Sequence, residues 1–299
     1  MKTKGRAALS LLITLGLSNS ANAFYCTSQG KTIVPDATGT AIFVNLAPSV
    51  QIGGNVVVDL GKDILCMNLA PDQYLDPVRI VGGQFTGPLD TLRGSITYYG
   101  TPYSFPITAP TKTVNHTWGA LVPWQTVLYL TVIGSGASGV AVNAGQMLAT
   151  ISMDKIELDG EESYIWNIYA NNSVVVPTGG CDVSSRNVTV TLPDYPGTAA
   201  IPLSVHCAQS QNLAYFLTGP TTGGTDSIFG NTATASPATG IGVQVSNRNG
   251  VISTNRNISL GAVGVSPVEL GMTASYTRTG GQVVAGNVQA IIGVTFVYQ

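Results

Sequence analysis

The chain predicts an all-β fold arranged as two β-sandwich domains. Three observations carry that reading: short runs alternate apolar and polar residues, clusters of Gly, Pro, Asn and Asp separate the runs, and no stretch keeps a 3.6-residue apolar period. The 35 Gly and 16 Pro among 299 residues supply turn positions throughout. Antiparallel sheets joined by short turns follow, and the length calls for two of them.

Taken in order, Met1 to Ala23 reads as a signal peptide. Lys2, Lys4 and Arg6 precede an apolar stretch from Ala7 to Leu17, and Ala21-Asn22-Ala23 is a cleavage signal of the A-x-A kind. The apolar stretch is too short for a membrane span, so the expected mature chain starts at Phe24 and is exported. The first domain is expected over 24–176, with strand signals at Ala41 to Leu46, Asn55 to Leu60, Gly94 to Tyr99, Val127 to Val132, Gln146 to Ser152 and Ser163 to Ile168. A boundary is expected at 177–180, Pro-Thr-Gly-Gly, because Pro and Gly interrupt both helix and strand there. The second domain, 181–299, has the size and strand count of an immunoglobulin-like sandwich, with signals at Asn187 to Leu192, Ile201 to Cys207, Leu213 to Leu217 and Gly242 to Val245.

The end of the chain is the clearest strand. Val288, Ala290, Ile292, Val294, Phe296 and Tyr298 occupy every even position of the last thirteen residues, a period of two that buries one face. Two readings fit: an ordinary last strand of a closed sandwich, or a strand whose open edge is completed by another chain.

Cys26, Cys66, Cys181 and Cys207 are an even set in an exported chain, which points to disulfides. Three pairings are possible, and proximity favours Cys26 with Cys66 and Cys181 with Cys207. No C-x-x-C occurs, so neither redox chemistry nor a zinc site is expected. Before residue 177 the mature chain carries eleven acids and six bases, and afterwards four of each. No basic stripe exists, which excludes nucleic acid as a partner. Five acids fall between Asp154 and Glu162, but their spacing matches no calcium loop, and no metal or cofactor is expected. His116 and His206 are the two histidines, and neither has a partner in sequence that would make a catalytic pair. A glycosidase using Asp76 with Asp159 or Glu161 would leave the second domain without a purpose, so no enzyme is expected.

Longer segments resemble a known family. Trp166-Asn167-Ile168-Tyr169-Ala170-Asn171-Asn172, Val176 to Val183, Val188 to Gly197 and Gly286 to Tyr298, together with Val44-Asn45-Leu46-Ala47-Pro48 and Val57-Val58-Asp59-Leu60, are similar to the type 1 fimbrial tip adhesin (FimH) family. The resemblance implies an N-terminal lectin domain and a C-terminal, incomplete immunoglobulin-like pilin domain that lacks one strand. It implies a periplasmic chaperone and then an adjacent minor pilus subunit as strand donors, an outer-membrane usher, and a place at the tip of a fimbria on the bacterial surface. Phe24 stands only two residues before Cys26, so the chain has no free N-terminal strand to donate, and a tip position follows.

The same resemblance implies a sugar site and a glycan receptor, a mannosylated or galactosylated glycoprotein. Its members use the amino group of an N-terminal Phe, here Phe24, which is mostly protonated at neutral pH. The family has Cys-His-Asn-Asp-Tyr where this chain has Cys66-Met67-Asn68-Leu69-Ala70. Asn68 and Asp76 match a sugar-binding Asn and Asp, Leu69 and Ala70 depart from the pattern, and Tyr74 stands where an aliphatic gate residue is usual. Lys155 followed by Ile156 is more similar to the galactose-binding F9 adhesins, with either Asp159 or Glu161 as an acceptor. A mannose-type tip adhesin is the leading expectation. A galactose or N-acetylgalactosamine binder and a non-binding structural pilus subunit are the alternatives.

Overall fold

A computed structural model of the chain describes residues 23–34, 36–133, 139–157, 160–222 and 224–299. Asp159 and all of the expected signal peptide except Ala23 lie outside these residues. The fold is all-β, with two β-sandwiches. Among the described residues the helical elements are two 3-10 turns, Leu60–Lys62 and Gly87–Leu89.

The first sandwich rests on a five-stranded sheet in the order Thr40–Val44, Gly160–Ala170, Met147–Glu157, Pro77–Phe85 and Val114–Asn115. Thr40–Val44 joins its neighbour in parallel, with Ile42 opposite Ile168 and Val44 opposite Ala170. A second sheet runs Asn55–Asp59, Thr126–Leu130, Gly94–Tyr98 and Thr101–Phe105, and a third runs Val122–Pro123, Ile64–Asn68, Phe24–Ser28 and Lys31–Ile33. Alternation selects what goes inside: Tyr164, Trp166, Ile168 and Ala170 from one strand and Leu128 and Leu130 from another are buried. Trp124 and Trp166 meet edge to face at 4.7 Å in this core, the arrangement that ring quadrupoles favour.

The buried apolar residues of the second sandwich form a separate cluster that runs from Cys181 to Ala274. Its sheets run Cys181–Val183, Ser204–Cys207 and Val268–Glu269; Thr198–Ile201, Met272–Arg278, Ile241–Asn247 and Gly250–Val251; and Ile258–Val263, Gln211–Thr218 and Gly293–Tyr298. The disulfides are Cys26–Cys66 and Cys181–Cys207, as proximity favours, and each joins directly opposed residues of an antiparallel pair. Between the sandwiches Asn55, fully buried, donates from Nδ2 to the carbonyls of Pro177 at 2.9 Å and Gly179 at 2.8 Å.

Some strands differ from expectation for identifiable reasons. Asn187 to Leu192 alternates between exposed and half-buried positions yet belongs to no ladder, because alternation describes a face and a strand also needs a hydrogen-bonded neighbour. Ile201 to Cys207 divides into Thr198–Ile201 and Ser204–Cys207, with Pro202, which has no N–H to donate, in the gap. The hairpin Met147–Glu157 with Gly160–Ala170 is longer than its two apolar signals, since its outer end is built of charged residues. The terminal ladder covers Gly293–Tyr298, paired with Gln211–Thr218, while 287–292 is outside any named strand. All six residues Val288, Ala290, Ile292, Val294, Phe296 and Tyr298 pack on the second core and remain only half-buried.

Candidate functional site

Antiparallel pairing of Phe24–Ser28 with Ile64–Asn68 sets Phe24 opposite Asn68. The ring of Phe24 is buried, edge to face with His116 at 4.7 Å and with Tyr164 at 6.2 Å. Asn68 then turns the chain. Its Oδ1 accepts from Ala70 N at 2.7 Å, and its Nδ2 donates to Tyr74 O at 2.6 Å and to His116 O at 2.9 Å. Both amide protons of Asn68 are therefore spent on backbone carbonyls, one in the 69–76 loop and one in the segment of His116, and the tip of the loop is tightened by Gln73 N and Tyr74 N donating to Ala70 O.

That loop delivers Asp76 in the left-handed region, φ 41°, a conformation that Asp tolerates better than most residues. His116 fixes it by donating from its backbone N at 3.1 Å to Asp76 O, which its Nδ1 also approaches at 3.2 Å. With Nδ1 carrying the proton, Nε2 accepts from the Tyr99 hydroxyl at 3.2 Å. Trp118 lies 4.8 Å from the imidazole and donates its indole N–H to Cys66 O. Burial lowers the His116 pKa to about 4, outweighing the acceptor carbonyls of Asp76 and Val114 that favour the proton. Burial likewise raises the Tyr99 phenol above its ordinary range.

The long hairpin supplies the other wall. Lys155 stands opposite Glu162, so both side chains share a face. Lys155 Nζ lies 3.6 Å from Asp76 Oδ1 and 3.9 Å from Glu162 Oε2, and the Tyr164 hydroxyl donates to that same Oε2 at 2.5 Å. Lys155 and Asp76 are 4% and 2% exposed at their side chains, whereas Glu162 is 34% exposed. Leu69, Tyr74 and Leu75 form an exposed apolar rim on the adjoining loop.

Phe24, Asn68, Asp76 and Lys155 thus converge, with Tyr74 on the rim. Glu161 does not join them. It sits opposite Ile156 on the other face of the hairpin, where its carboxylate accepts from Arg79 at 2.7 Å. Strand alternation makes Glu162 the acid facing Lys155, and Asp159 falls outside the described residues. Strand alternation is the signal that separates Glu161 from Glu162, but the register is not read from the Asp159-Gly160 dipeptide, since a two-residue turn there would pair Lys155 with Tyr164. His116, Tyr99 and Trp118 carried no such signal, because they arrive from a distant segment through tertiary packing.

A buried ion pair beneath a partly exposed carboxylate, rimmed by apolar side chains, suits an uncharged ligand rich in hydroxyls. Charged groups bind hydroxyls strongly, and the rim accepts the C–H face of a ring. Among the described residues no group of three or more His, Cys, Asp or Glu is placed to hold a metal ion. A cavity of about 320 Å³ lies between the sandwiches against Ile52, Val132, Gln211 and Tyr298 and gathers no charged side chain.

Fold and site together define a two-sandwich β protein whose pocket suits a hydroxyl-rich ligand. A family model described as "FimH, mannose binding" matches residues 26–167. The chain is 49% identical over 292 residues to the type 1 fimbrin D-mannose specific adhesin of Escherichia coli K12, covering 96% of this chain and 97% of that one. It is also 38% identical over 275 residues to the S-fimbrial protein subunit SfaH of a uropathogenic E. coli strain, covering 87% and 91%. Among solved structures, the CupB6 tip adhesin of Pseudomonas aeruginosa aligns over 92% of this chain and 94% of that one at 15% identity, with a TM-score of 0.31. The chain belongs to the FimH family of fimbrial adhesins, and it is not an enzyme.

Proposed function

We propose that the chain is a fimbrial tip adhesin that binds a terminal mannose-type glycan and is held on its fibre by donor-strand complementation. The observation that carries the first part is the convergence of Phe24, Asp76, Lys155 and Glu162 around a loop fixed by Asn68. Residues 1–23 act as the signal peptide, 24–176 as the lectin domain, 177–180 as the linker and 181–299 as the pilin domain. Leu69 N donates to Ala23 O at 2.7 Å. Cleavage after Ala23 would remove that acceptor and turn the Phe24 nitrogen into an ammonium, presenting fresh donors beside Asp76 and Lys155.

The second part rests on two segments outside any named strand, Asn187 to Leu192 and 287–292, the latter tied to 231–238 by a bridge between Asn287 and Pro237 and by the backbone of Gln289; they turn Val188, Leu192, Val288, Ala290 and Ile292 toward the second core. A strand from a periplasmic chaperone, replaced at the outer-membrane usher by one from the adjacent minor subunit, would lie along these segments and cover those side chains. The mature chain then stands at the fibre tip on the cell surface.

A galactose-type specificity is favoured by one feature, the ammonium of Lys155 beneath the pocket. Competition separates the two. Agglutination of cells by fibres bearing this adhesin is expected to be blocked by methyl α-mannoside and not by galactose. Block by galactose alone would establish the second specificity, and absence of any glycan binding would make the chain a structural subunit.

A further inference from the structure

Resting on that reading of the site as a sugar site, we infer that His116, buried behind the pocket, is a positioning residue for sugar binding, and that Tyr99 works through it by fixing which imidazole nitrogen carries the proton. Three of the converging residues meet at His116. The Phe24 ring packs on its imidazole at 4.7 Å, and Asn68 Nδ2 donates to its carbonyl at 2.9 Å. The carbonyl of Asp76 faces both its backbone N at 3.1 Å and its Nδ1 at 3.2 Å. His116 itself is fully enclosed, so any influence it has on a ligand passes through these neighbours.

The contact with Asp76 is the one that aims a side chain. Asp76 holds φ 41°, a left-handed conformation that a non-glycine residue keeps only where its surroundings enforce it. A carbonyl oxygen has two lone pairs, and two donors of one residue address it here. They fix the peptide plane after Asp76, and with it the direction of the carboxylate towards Lys155 Nζ at 3.6 Å. The second donor exists in one tautomer only. The Tyr99 hydroxyl lies 3.2 Å from Nε2, and burial raises the phenol's pKa, so it keeps its proton and donates. Nε2 is then the acceptor, and Nδ1 carries the N–H that faces Asp76. Packing by Trp118 at 4.8 Å and Tyr99 at 5.7 Å holds the ring in that orientation. A site held ready in this way loses less freedom when a ligand binds, so more of each hydrogen bond appears as affinity.

The test measures binding of methyl α-mannoside and methyl β-galactoside to the full chain by calorimetry, with urea unfolding of the same samples to register damage to the fold. His116→Phe keeps a ring against Phe24 and loses both nitrogens. It is expected to weaken whichever sugar the parent binds by about five- to tenfold, the effect of one hydrogen bond. His116→Asn returns a donor near the place of Nδ1 and is expected to recover affinity to within about threefold of the parent, although it fills less space. Tyr99→Phe is expected to cost about threefold in the parent and nothing in His116→Phe, since its effect passes through the imidazole. In a His206→Gln background, the imidazole nitrogen resonances are expected to show the proton of His116 on Nδ1. The inference is overturned if folded His116→Phe loses stability but binds like the parent, if His116→Asn binds no better than His116→Phe, or if Tyr99→Phe costs the same in both backgrounds. A proton on Nε2 overturns it equally. Tyr99→Phe and the nitrogen spectrum of the unsubstituted imidazole decide the question even where His116→Phe does not fold. A parent chain that binds neither sugar overturns the sugar-site reading itself, and this inference with it.

Discussion

Acid should weaken the fold through His116. The imidazole is fully buried between Phe24 at 4.7 Å, Trp118 at 4.8 Å and Tyr99 at 5.7 Å, and its folded pKa is lowered to about 4 from 6.5. Below pH 6.5 the unfolded chain takes up a proton that the folded chain refuses until about pH 4. Stability contributed by neutral His116 is therefore present above pH 6.5, falls as pH drops through the window, and is gone by about pH 4. At about 1.4 kcal/mol per pH unit the full loss is roughly 3 kcal/mol, a large share of a typical domain's stability. Carboxylates titrate nearby, so the effect has to be isolated. Urea unfolding of the parent chain and of His116→Phe, measured from pH 7.5 to 4, gives a difference in which the shared carboxylate contributions cancel. That difference is expected to change by roughly 3 kcal/mol across the window. Titration of the imidazole C–H resonances in a His206→Gln background assigns the signal to His116. A His116 that titrates at its ordinary value, or a stability difference that is flat with pH, would refute the reasoning.

Two further substitutions probe the supports of the site and the linker. Asn68→Ala removes a donor and an acceptor that hold the 69–76 loop and a second donor that holds His116 O; we expect a loss of about 2–3 kcal/mol in urea unfolding, together with loss of glycan binding, and an unaltered loop in amide-exchange measurements would contradict this. Asn55→Ala leaves the carbonyls of Pro177 and Gly179 without their buried donor; a loss of about 1–3 kcal/mol and faster proteolytic cutting at 177–180 are the expected outcomes.

Where residues form periodic or local patterns, sequence and structure agree. The even-numbered apolar positions at the end of the chain face the second core, and the cysteines pair with their nearer neighbours. Where the pattern depends on a partner, sequence overreaches: Asn187 to Leu192 alternates as a strand does and belongs to no ladder among the described residues. The candidate site divides in the same way. Phe24, Asn68, Asp76 and Lys155 are named through family resemblance and lie together in the fold, whereas of the two expected acceptors, Asp159 and Glu161, the second is turned to Arg79, because position along the chain does not show which face of a hairpin a residue occupies. Asn68 illustrates a finer point, since the residue expected at the sugar is also the residue whose amide builds the loop. His116 was invisible because its partners, Phe24, Tyr99 and the carbonyl of Asp76, are brought together only by the closed sheet.

The parallel strand pair has a consequence for synthesis. Thr40–Val44 finds its ladder partner in Trp166 to Ala170, and the neighbouring side chains Asn45 and Asn171 are 126 residues apart. Phe24–Ser28 can dock early on Ile64–Asn68, sealed by Cys26–Cys66. Thr40–Val44, which emerges between them, has to wait for the far end of the domain. Until that far end has been exported, Ile42 and Val44 are uncovered in an open edge strand. A nascent chain stalled before Trp166 would expose this strand, so truncated products are expected to aggregate through residues near the start of the chain rather than at the break.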